Sequence, residues 1–396
     1  MSIPAAVSPP GPPVTVLCGF LGAGKTTLLR HLLAQAGTAG GGANPGRRWA
    51  AVVNDVAAVN IDAQLVDTPP AGKLVSIGNG CVCCTVRDSL AETLAELCAT
   101  GSYDHVLVET TGVADPRAIA GLFTRRNAFG RSLGDFARLS SLVTVIDARH
   151  FLDEWRRGRE LPPPEPGNPK PVFELMVDQA ECADVLLLNK CDLVTDAEGA
   201  QVEQVLRALN PRAELVRAER GQVPCELLLD RARFDAAATL GAAKWIRVLQ
   251  QQGGAPAVGL RTGVRPAGAA VPYEDEYGIT SFVYAERRPF DRERFLQLVR
   301  RNLPAGLLRA KGFYWLAQQP ADIGFLSVAG GVARTEAVGT WVAELRERGV
   351  ITEAEIPASA RAHWVEPAGD RRQELVFIGT GIDEPAWRAA LDACLT

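Results

Sequence analysis

Three short runs in this 396-residue chain have residue types and spacings that could do chemistry. The first is Gly19-Phe20-Leu21-Gly22-Ala23-Gly24-Lys25-Thr26-Thr27, the pattern GxxxxGK[ST]. Glycines let backbone N–H groups turn inward around an anion, and a following helix N-terminus adds a favourable dipole. Gly22, Ala23, Gly24, Lys25, Thr26 and Thr27 are therefore candidates to cradle phosphates, with Lys25 reaching the β- and γ-phosphates and the Thr26 hydroxyl binding Mg²⁺. The second run is Cys81-Val82-Cys83-Cys84, three thiols in four residues. Thiolates are natural ligands for Zn²⁺, Co²⁺ or Fe²⁺. The third run is Asn189-Lys190-Cys191-Asp192. A carboxylate at its fourth position can accept hydrogen bonds from the N1–H and exocyclic amine of guanine, an arrangement adenine does not offer. Leaving such a carboxylate unpaired is costly, so the expected nucleotide is GTP, with GDP as product.

The elements that must position these runs are legible around them. Val14 to Cys18 is a short apolar run that reads as a buried strand, and Leu28, Leu29, Leu32 and Leu33 give a helical pattern after the glycine loop. Val185 to Leu188 is a strand that delivers Asn189, Lys190 and Asp192 at its end. Val106 to Val108 is another, ending in Glu109-Thr110-Thr111-Gly112. There Glu109 can hold the Mg²⁺ shell or orient water, and Gly112 lets backbone approach the γ-phosphate. A further strand, Leu142 to Ile146, ends at Asp147, which reads equally as a strand-end cap or as part of the nucleotide site. Strands alternating with helices to about residue 220 imply an α/β fold, a P-loop NTPase domain with a mainly parallel sheet covered on both faces. Glycine- and proline-rich stretches at residues 37–48 and 162–171 read as flexible inserts.

The thiol run lies between Ile77-Gly78-Asn79-Gly80 and a helical pattern starting near Val86. Neighbouring glycines give the backbone freedom to fold sulfurs toward one point, but adjacent Cys83 and Cys84 diverge in extended chain. One chain then supplies two or three ligands, and a site short of four suits a carrier whose partner completes the coordination. The competing readings are buried small hydrophobes, which a CxCC triplet disfavours, and a redox pair. Cys18, Cys98, Cys182, Cys191, Cys225 and Cys394 sit in apolar or helical stretches and read as core residues.

Composition narrows the class. The chain is 47% hydrophobic and 22% charged, with net charge -4 and scattered basic residues, so no nucleic-acid footprint is expected. No apolar run approaches the ~20 residues of a membrane helix, and residues 1–13 read as a loose tail without signal-peptide character. Nine cysteines, an odd and unevenly spaced set, favour reduced thiols in the cytoplasm. Domain boundaries follow from composition: a tail at 1–13, a nucleotide domain at 14–252, a Gly/Ala/Pro linker at 253–272 and a second domain at 273–396. The second domain reads as a smaller α+β module. Its strands are Ile279 to Tyr284, Gly312 to Leu316, Ile323 to Val328 and Glu374 to Ile378, and its helices lie at Asp291 to Leu303 and Pro385 to Leu395. The stretch before Glu374 reads as acidic and poorly packed. Phe313, Tyr314 and Trp315 read as core.

In this order, the glycine loop, the GNGCVCCTVRDSL run, ETTG and NKCDLV resemble the CobW-like family of metal-handling GTPases, related to urease and hydrogenase maturation proteins. Asp275 to Tyr284, Arg309 to Phe313 and Gly369 to Gly379 resemble that family's C-terminal domain, in its YciC-type branch of zinc chaperones and nitrile hydratase activators. The resemblance covers nearly the whole chain from Val14. It implies GTP binding, slow GTP hydrolysis in which Lys25, Thr26 and Glu109 take part, and delivery of Zn²⁺ (or Co²⁺ or Fe²⁺) to a client apo-metalloprotein. Two departures stand out. Relatives carry a glutamate where Ala58 stands, and often another at Val53, which leaves Asp55 as the nearest acidic candidate for a metal or for Mg²⁺. The His-rich stretch common before the C-terminal domain is absent, and only His31, His105, His150 and His363 exist, which argues against metal storage. Each lone histidine reads first as structural, with His150 the one nearest the nucleotide loops. The expected partners are GTP and the client, with a homo-oligomer left open and neither nucleic acid nor membrane involved. The alternative is a GTP-dependent assembly factor whose thiols hold a structural metal or sense redox state.

Overall fold

The computed structural model describes residues 11–36, 48–54, 72–77, 85–126, 130–158, 170–229, 232–235 and 279–396. Two compact units divide the chain. One comprises Met1–Phe151, Asp178–Glu203 and Arg212–Leu240; the other comprises Leu152–Val177, Gln204–Pro211 and Gly241–Thr396.

The first unit is built on seven strands: β1 Pro13–Cys18, β2 Trp49–Asn54, β3 Gly72–Ile77, β4 His105–Glu109, β5 Arg138–Asp147, β6 Val185–Asn189 and β7 Glu214–Arg217. They form one sheet in the order β3-β2-β4-β1-β5-β6-β7, with every neighbouring pair parallel. Parallel strands are buried on both faces, which is why β4 (HVLVE) and β6 (VLLLN) carry apolar runs buried at every position. Side chains alternate across the sheet. In β1, Leu17 joins Leu28, Leu29 and Leu32 of helix α1 (Lys25–Ala36) in one core, while Val14, Val16 and Cys18 face the opposite core. That second core takes Leu90 and Leu94 from α2 (Thr85–Ala99) and Ile119 and Phe123 from α3 (Pro116–Thr124). Helices α4 Ala148–Gly158, α5 Val172–Glu181 and α6 Asp196–Leu209 follow in chain order.

Because all seven strands run the same way, their carboxyl ends share one edge of the sheet. Register fixes which residues meet there: Ile77 pairs with Asn54, Val53 with Glu109, and Glu109 with Leu17. In an open α/β sheet this is the edge where ligands bind.

The second unit contains a five-stranded antiparallel sheet, order β11-β10-β9-β12-β8, from β8 Ile279–Glu286, β9 Leu307–Leu316, β10 Gln319–Ala329, β11 Val332–Thr340 and β12 Gln373–Thr380. Two helices lie against it, α7 Arg292–Arg301 and a last helix at Glu384–Asp392, separated in sequence by the short α8 Val342–Glu347 and α9 Ala358–Arg361. Phe295 and Val299 of α7 and Trp387 and Leu391 of the last helix share one core with Phe282, Tyr314 and Phe377. Asp291 caps α7 by accepting from the Arg294 N–H at 3.0 Å, as its position before the apolar repeat predicts. Phe313 and Tyr314 are buried. One sequence expectation is corrected: the stretch read as poorly packed contains strand β11. Its residues Glu336 to Thr340 are exposed, so an outer strand paired only to β10 carries no apolar alternation to reveal it. Among the described residues no helix is long and apolar enough to cross a membrane.

Candidate functional site

The glycine loop links the end of β1 at Cys18 to the start of α1 at Lys25. Gly24 takes a φ of 104°, and a Cβ there would lie 2.4 Å from the Asn189 Nδ2, so both conformation and space exclude a side chain. Gly22 also has positive φ, whereas Ala23 is buried. The Lys25 ammonium is buried and donates to the carbonyls of Gly19 at 2.9 Å and Phe20 at 3.2 Å. The loop therefore holds its own cation at its centre, where a phosphate oxygen can exchange with a carbonyl. Thr27 is exposed on the first turn of α1.

Thr26 and Glu109 come together at the neighbouring strand end. The Thr26 hydroxyl donates to Glu109 Oε1 at 2.6 Å, and Glu109 is 6% exposed. A hydroxyl and a carboxylate are both hard oxygen donors, the set Mg²⁺ selects beside phosphates. Thr110 then anchors the chain to β1, its N–H and hydroxyl both donating to the Leu17 carbonyl. Beyond it Gly112 is packed so closely on the loop that a Cβ would stand 2.6 Å from the Leu21 nitrogen.

At the other side of the loop stands the tetrad. Asn189 is buried: its Nδ2 donates to the Ala23 carbonyl at 2.9 Å and its Oδ1 accepts from the Gly221 N–H at 2.9 Å. One amide thus ties the phosphate loop to the turn after β7. Lys190 adopts the left-handed conformation, φ 60°, and its ammonium contacts Asp147 Oδ2 at 2.7 Å. Asp147 also accepts from the His150 N–H at 3.0 Å. The strand-end cap reading of Asp147 is seen directly, since it caps the start of α4, and the same carboxylate holds the Lys190 ammonium. The Asp192 carboxylate is exposed. His150 packs edge-on against Phe20, ring centroids 5.6 Å apart.

Cys81, Cys83, Cys84 and Asp55 lie outside the described residues. Among the described residues no three His, Cys, Asp or Glu side chains gather closely enough to hold a metal ion. Cys18, Cys98, Cys182, Cys225 and Cys394 are buried and Cys191 half-buried. Burial pushes the Cys18 thiol up to about 12, against a smaller opposing effect of its hydrogen bond with Thr110, so it stays protonated at neutral pH.

Sequence comparison places this arrangement. The CobW/HypB/UreG nucleotide-binding domain matches residues 13–217, and the cobalamin synthesis protein CobW C-terminal domain matches residues 279–395. The chain belongs to the CobW/HypB/UreG family. It is a P-loop GTPase. Within the family, the zinc-regulated GTPase metalloprotein activator 1 of Dictyostelium discoideum is 33% identical over 97% of this chain and 79% of its own length. The zinc chaperone CobW of Pseudomonas aeruginosa is 34% identical over 55% of this chain and 59% of its own length. Among solved structures, Zn(II)-bound YjiA GTPase from E. coli aligns over 98% of this chain at 21% identity, with a TM-score of 0.40.

Two residues that bond to these segments were not singled out from sequence. Gly221 meets Asn189 from the turn Glu219 to Gln222, and the signal was available, a glycine in the polar run Glu219-Arg220-Gly221-Gln222 shortly after a strand. Gln179, in α5, donates to the carbonyls of Gly112 and Ala114. Nothing in its local sequence marks it beyond a polar residue on an apolar helix.

Proposed function

We propose that this GTPase is a metallochaperone that binds Zn²⁺, or Co²⁺ or Fe²⁺ in its place, through Cys81, Cys83 and Cys84 and delivers it to a client apo-metalloprotein. The single observation that carries the reading is the register of four adjacent strand ends. β3 leads at Ile77 into the segment holding the thiols, and β2 leads at Asn54 into Asp55. β4 ends at Glu109, and β1 leads at Cys18 into the phosphate loop. Neighbouring strands are roughly 4.8 Å apart. Thiol segment, switch candidate and phosphate site are therefore tethered to consecutive strands of one rigid sheet. The names of the Dictyostelium and Pseudomonas relatives support zinc as the cargo.

On this reading Lys25 exchanges its loop carbonyls for β- and γ-phosphate oxygens of GTP. Gly22, Ala23, Gly24 and Thr27 contribute backbone N–H groups or the helix start. Thr26 and Glu109, with Asp55, would hold Mg²⁺, which supplies charge neutralisation at the phosphates when bound. The Gly112 N–H faces the terminal phosphate, while Asn189, Lys190 and Asp192 hold the guanine. Turnover is slow, as in unaided GTPases of this type. The chain acts as two modules, 14–252 and 273–396, with residues 253–272 as linker. Linkage requires metal to tighten GTP binding by the factor with which GTP tightens metal binding.

The deciding experiment is Zn²⁺ and Co²⁺ affinity by chelator competition, with Mg²⁺ plus GDP or a non-hydrolysable GTP analogue. Metal binding at least about tenfold tighter with the analogue, lost in Cys83→Ser/Cys84→Ser, is the expected result. Equal affinity in both nucleotide states would overturn the carrier reading in favour of an assembly factor with a structural metal.

A further inference from the structure

The segment between Glu109 and α3 is fastened at both ends. Thr110 is bonded to β1 through two contacts to the Leu17 carbonyl, and Asp115 caps α3 by accepting from the Arg117 N–H at 2.9 Å. Between them a turn closes from the Ala114 N–H to the Thr111 carbonyl at 3.1 Å. Gly112 and Val113 are its two central residues, and Gly112 is the point that touches Leu21 of the phosphate loop.

One side chain from outside the segment holds this turn. Gln179 is 2% exposed, and its Nε2 donates to the Gly112 carbonyl at 3.0 Å and the Ala114 carbonyl at 3.1 Å. Only the donor end of an amide can face two carbonyl oxygens, so the orientation is fixed by chemistry. The backbone carbonyl of Gln179 accepts from the Thr144 hydroxyl of β5 at 3.0 Å, which seats α5 on the sheet at that residue. Its Oε1 is buried and accepts from no donor among the described residues.

We infer that Gln179 is a positioning residue for the terminal phosphate: its amide holds the Thr111–Ala114 turn against the phosphate loop and so aims the Gly112 N–H at the group GTP has and GDP lacks. The inference rests on the reading of Gly112 as a phosphate contact. The amide bonds the carbonyls of Gly112 and Ala114 and so fixes the turn, while the Ala114 N–H bond to the Thr111 carbonyl holds the preceding peptide, the one that carries the Gly112 N–H. A side chain of the same length without the N–H pair leaves two buried carbonyls unpaired, and the turn then leaves its place to reach water. Glu109 and Thr26 lie on the other side of Thr110, which is itself anchored. Loss of Gln179 should therefore spare their pairing while releasing Gly112. GDP binding, which never uses Gly112, should be indifferent.

The test uses the full chain with Mg²⁺, comparing wild type, Gln179→Met, Gln179→Glu and Gly112→Ala. Fluorescent GDP and a non-hydrolysable GTP analogue report affinity, single-turnover hydrolysis separates kcat from KM, and thermal melting reports folding. Gln179→Met should lower the analogue-to-GDP affinity ratio and kcat each by at least about tenfold, with GDP affinity within about twofold of wild type. Gln179→Glu, of matched shape, should behave likewise and serves if the methionine variant does not fold. An unchanged ratio in a folded variant overturns the inference, and so does an equal loss of GDP and analogue affinity, the signature of general destabilisation. Gly112→Ala separates the two levels. If it binds both nucleotides as wild type does, the phosphate role of Gly112 falls and the inference with it. If it loses the analogue while Gln179→Met does not, only the inference falls.

Discussion

The two sheets of this molecule dispose of their polar side chains in opposite ways. In the parallel sheet of the first unit, charged and hydrogen-bonding groups collect at strand ends: Glu109, Asp147 and Asn189 each close a strand, and Lys25 opens the helix after the loop that follows β1. In the antiparallel sheet of the second unit, Arg309, Lys311, Arg372 and Glu374 are buried within the strands or just before them. Arg309, Arg372 and Glu374 find partners within their own unit. Arg309 donates to the Ser327 hydroxyl and the Val328 carbonyl, both at 3.3 Å, and the Ser327 hydroxyl donates to Glu174 Oε1 at 2.6 Å. Arg372 pairs with Glu374 at 2.7 Å, and Arg371 pairs with Glu344 and Glu347, each at 2.7 Å. A parallel sheet with covered faces exposes only its edges, so reactive groups gather there. The second sheet uses charge to specify its own packing. The same residue types gather at the loops in one unit and pack inside the sheet in the other, and only their partners tell them apart.

Three substitutions would break or sharpen that contrast. Lys25→Ala removes the one buried ammonium of the phosphate loop. GTP turnover should fall by roughly 10²–10³-fold while the urea midpoint barely moves. A loss of stability comparable to the loss of rate would erase the distinction between the two units. Arg309→Met is its mirror image. It leaves the Ser327 hydroxyl and the Val328 carbonyl without their donor while Glu174 keeps its ion pair with Arg334, and urea unfolding of the full chain should show a loss of about 1–3 kcal/mol. Turnover per folded molecule should stay within about twofold, and a tenfold fall would mean the second sheet takes part in catalysis. The smallest and most specific effect is expected at Asp192→Asn. An amide cannot accept from the guanine N1–H and amine as a carboxylate does, but it can donate to the C2 carbonyl of xanthine. Competition between GTP and xanthosine triphosphate should swing by about tenfold to hundredfold toward the latter. No swing would mean that the exposed Asp192 carboxylate does not read the base.

Much of the first unit was legible because its strands advertise themselves. Val106 to Val108 and Val185 to Leu188 are apolar without interruption, as strands buried on both faces must be, and the chemistry-bearing residues follow directly on their ends. What could not be read is what depends on a partner distant in sequence. Asn189 is half of a recognisable motif, yet its buried amide is used to bind Ala23 and Gly221, 166 and 32 residues away. Gln179 reaches back 67 residues to Gly112. Strand β11 exists because β10 offers it a hydrogen-bonding edge, and its exposed outer residues leave no periodic trace. The thiol triplet was the loudest chemical signal in the sequence, and it falls outside the described residues.

The six cysteines beyond that triplet carry a practical consequence. Thiolates, rather than thiols, attack alkylating and disulfide-forming reagents and displace their leaving groups. Burial raises Cys98 and Cys182 to about 11 and Cys18 to about 12, and it raises Cys394 and Cys191 as well; Cys225 is 1% exposed. At pH 7.5 a thiol titrating near 11 is ionised in only about one molecule in three thousand, and its packing excludes the reagent besides. In the folded chain the five buried thiols are spectators to labelling, and half-buried Cys191 is the exception among the six. Reagent uptake by the folded chain then comes from Cys191 and from whichever of Cys81, Cys83 and Cys84 react, and on the metallochaperone reading the part that an added metal ion suppresses tallies how many of the three it engages.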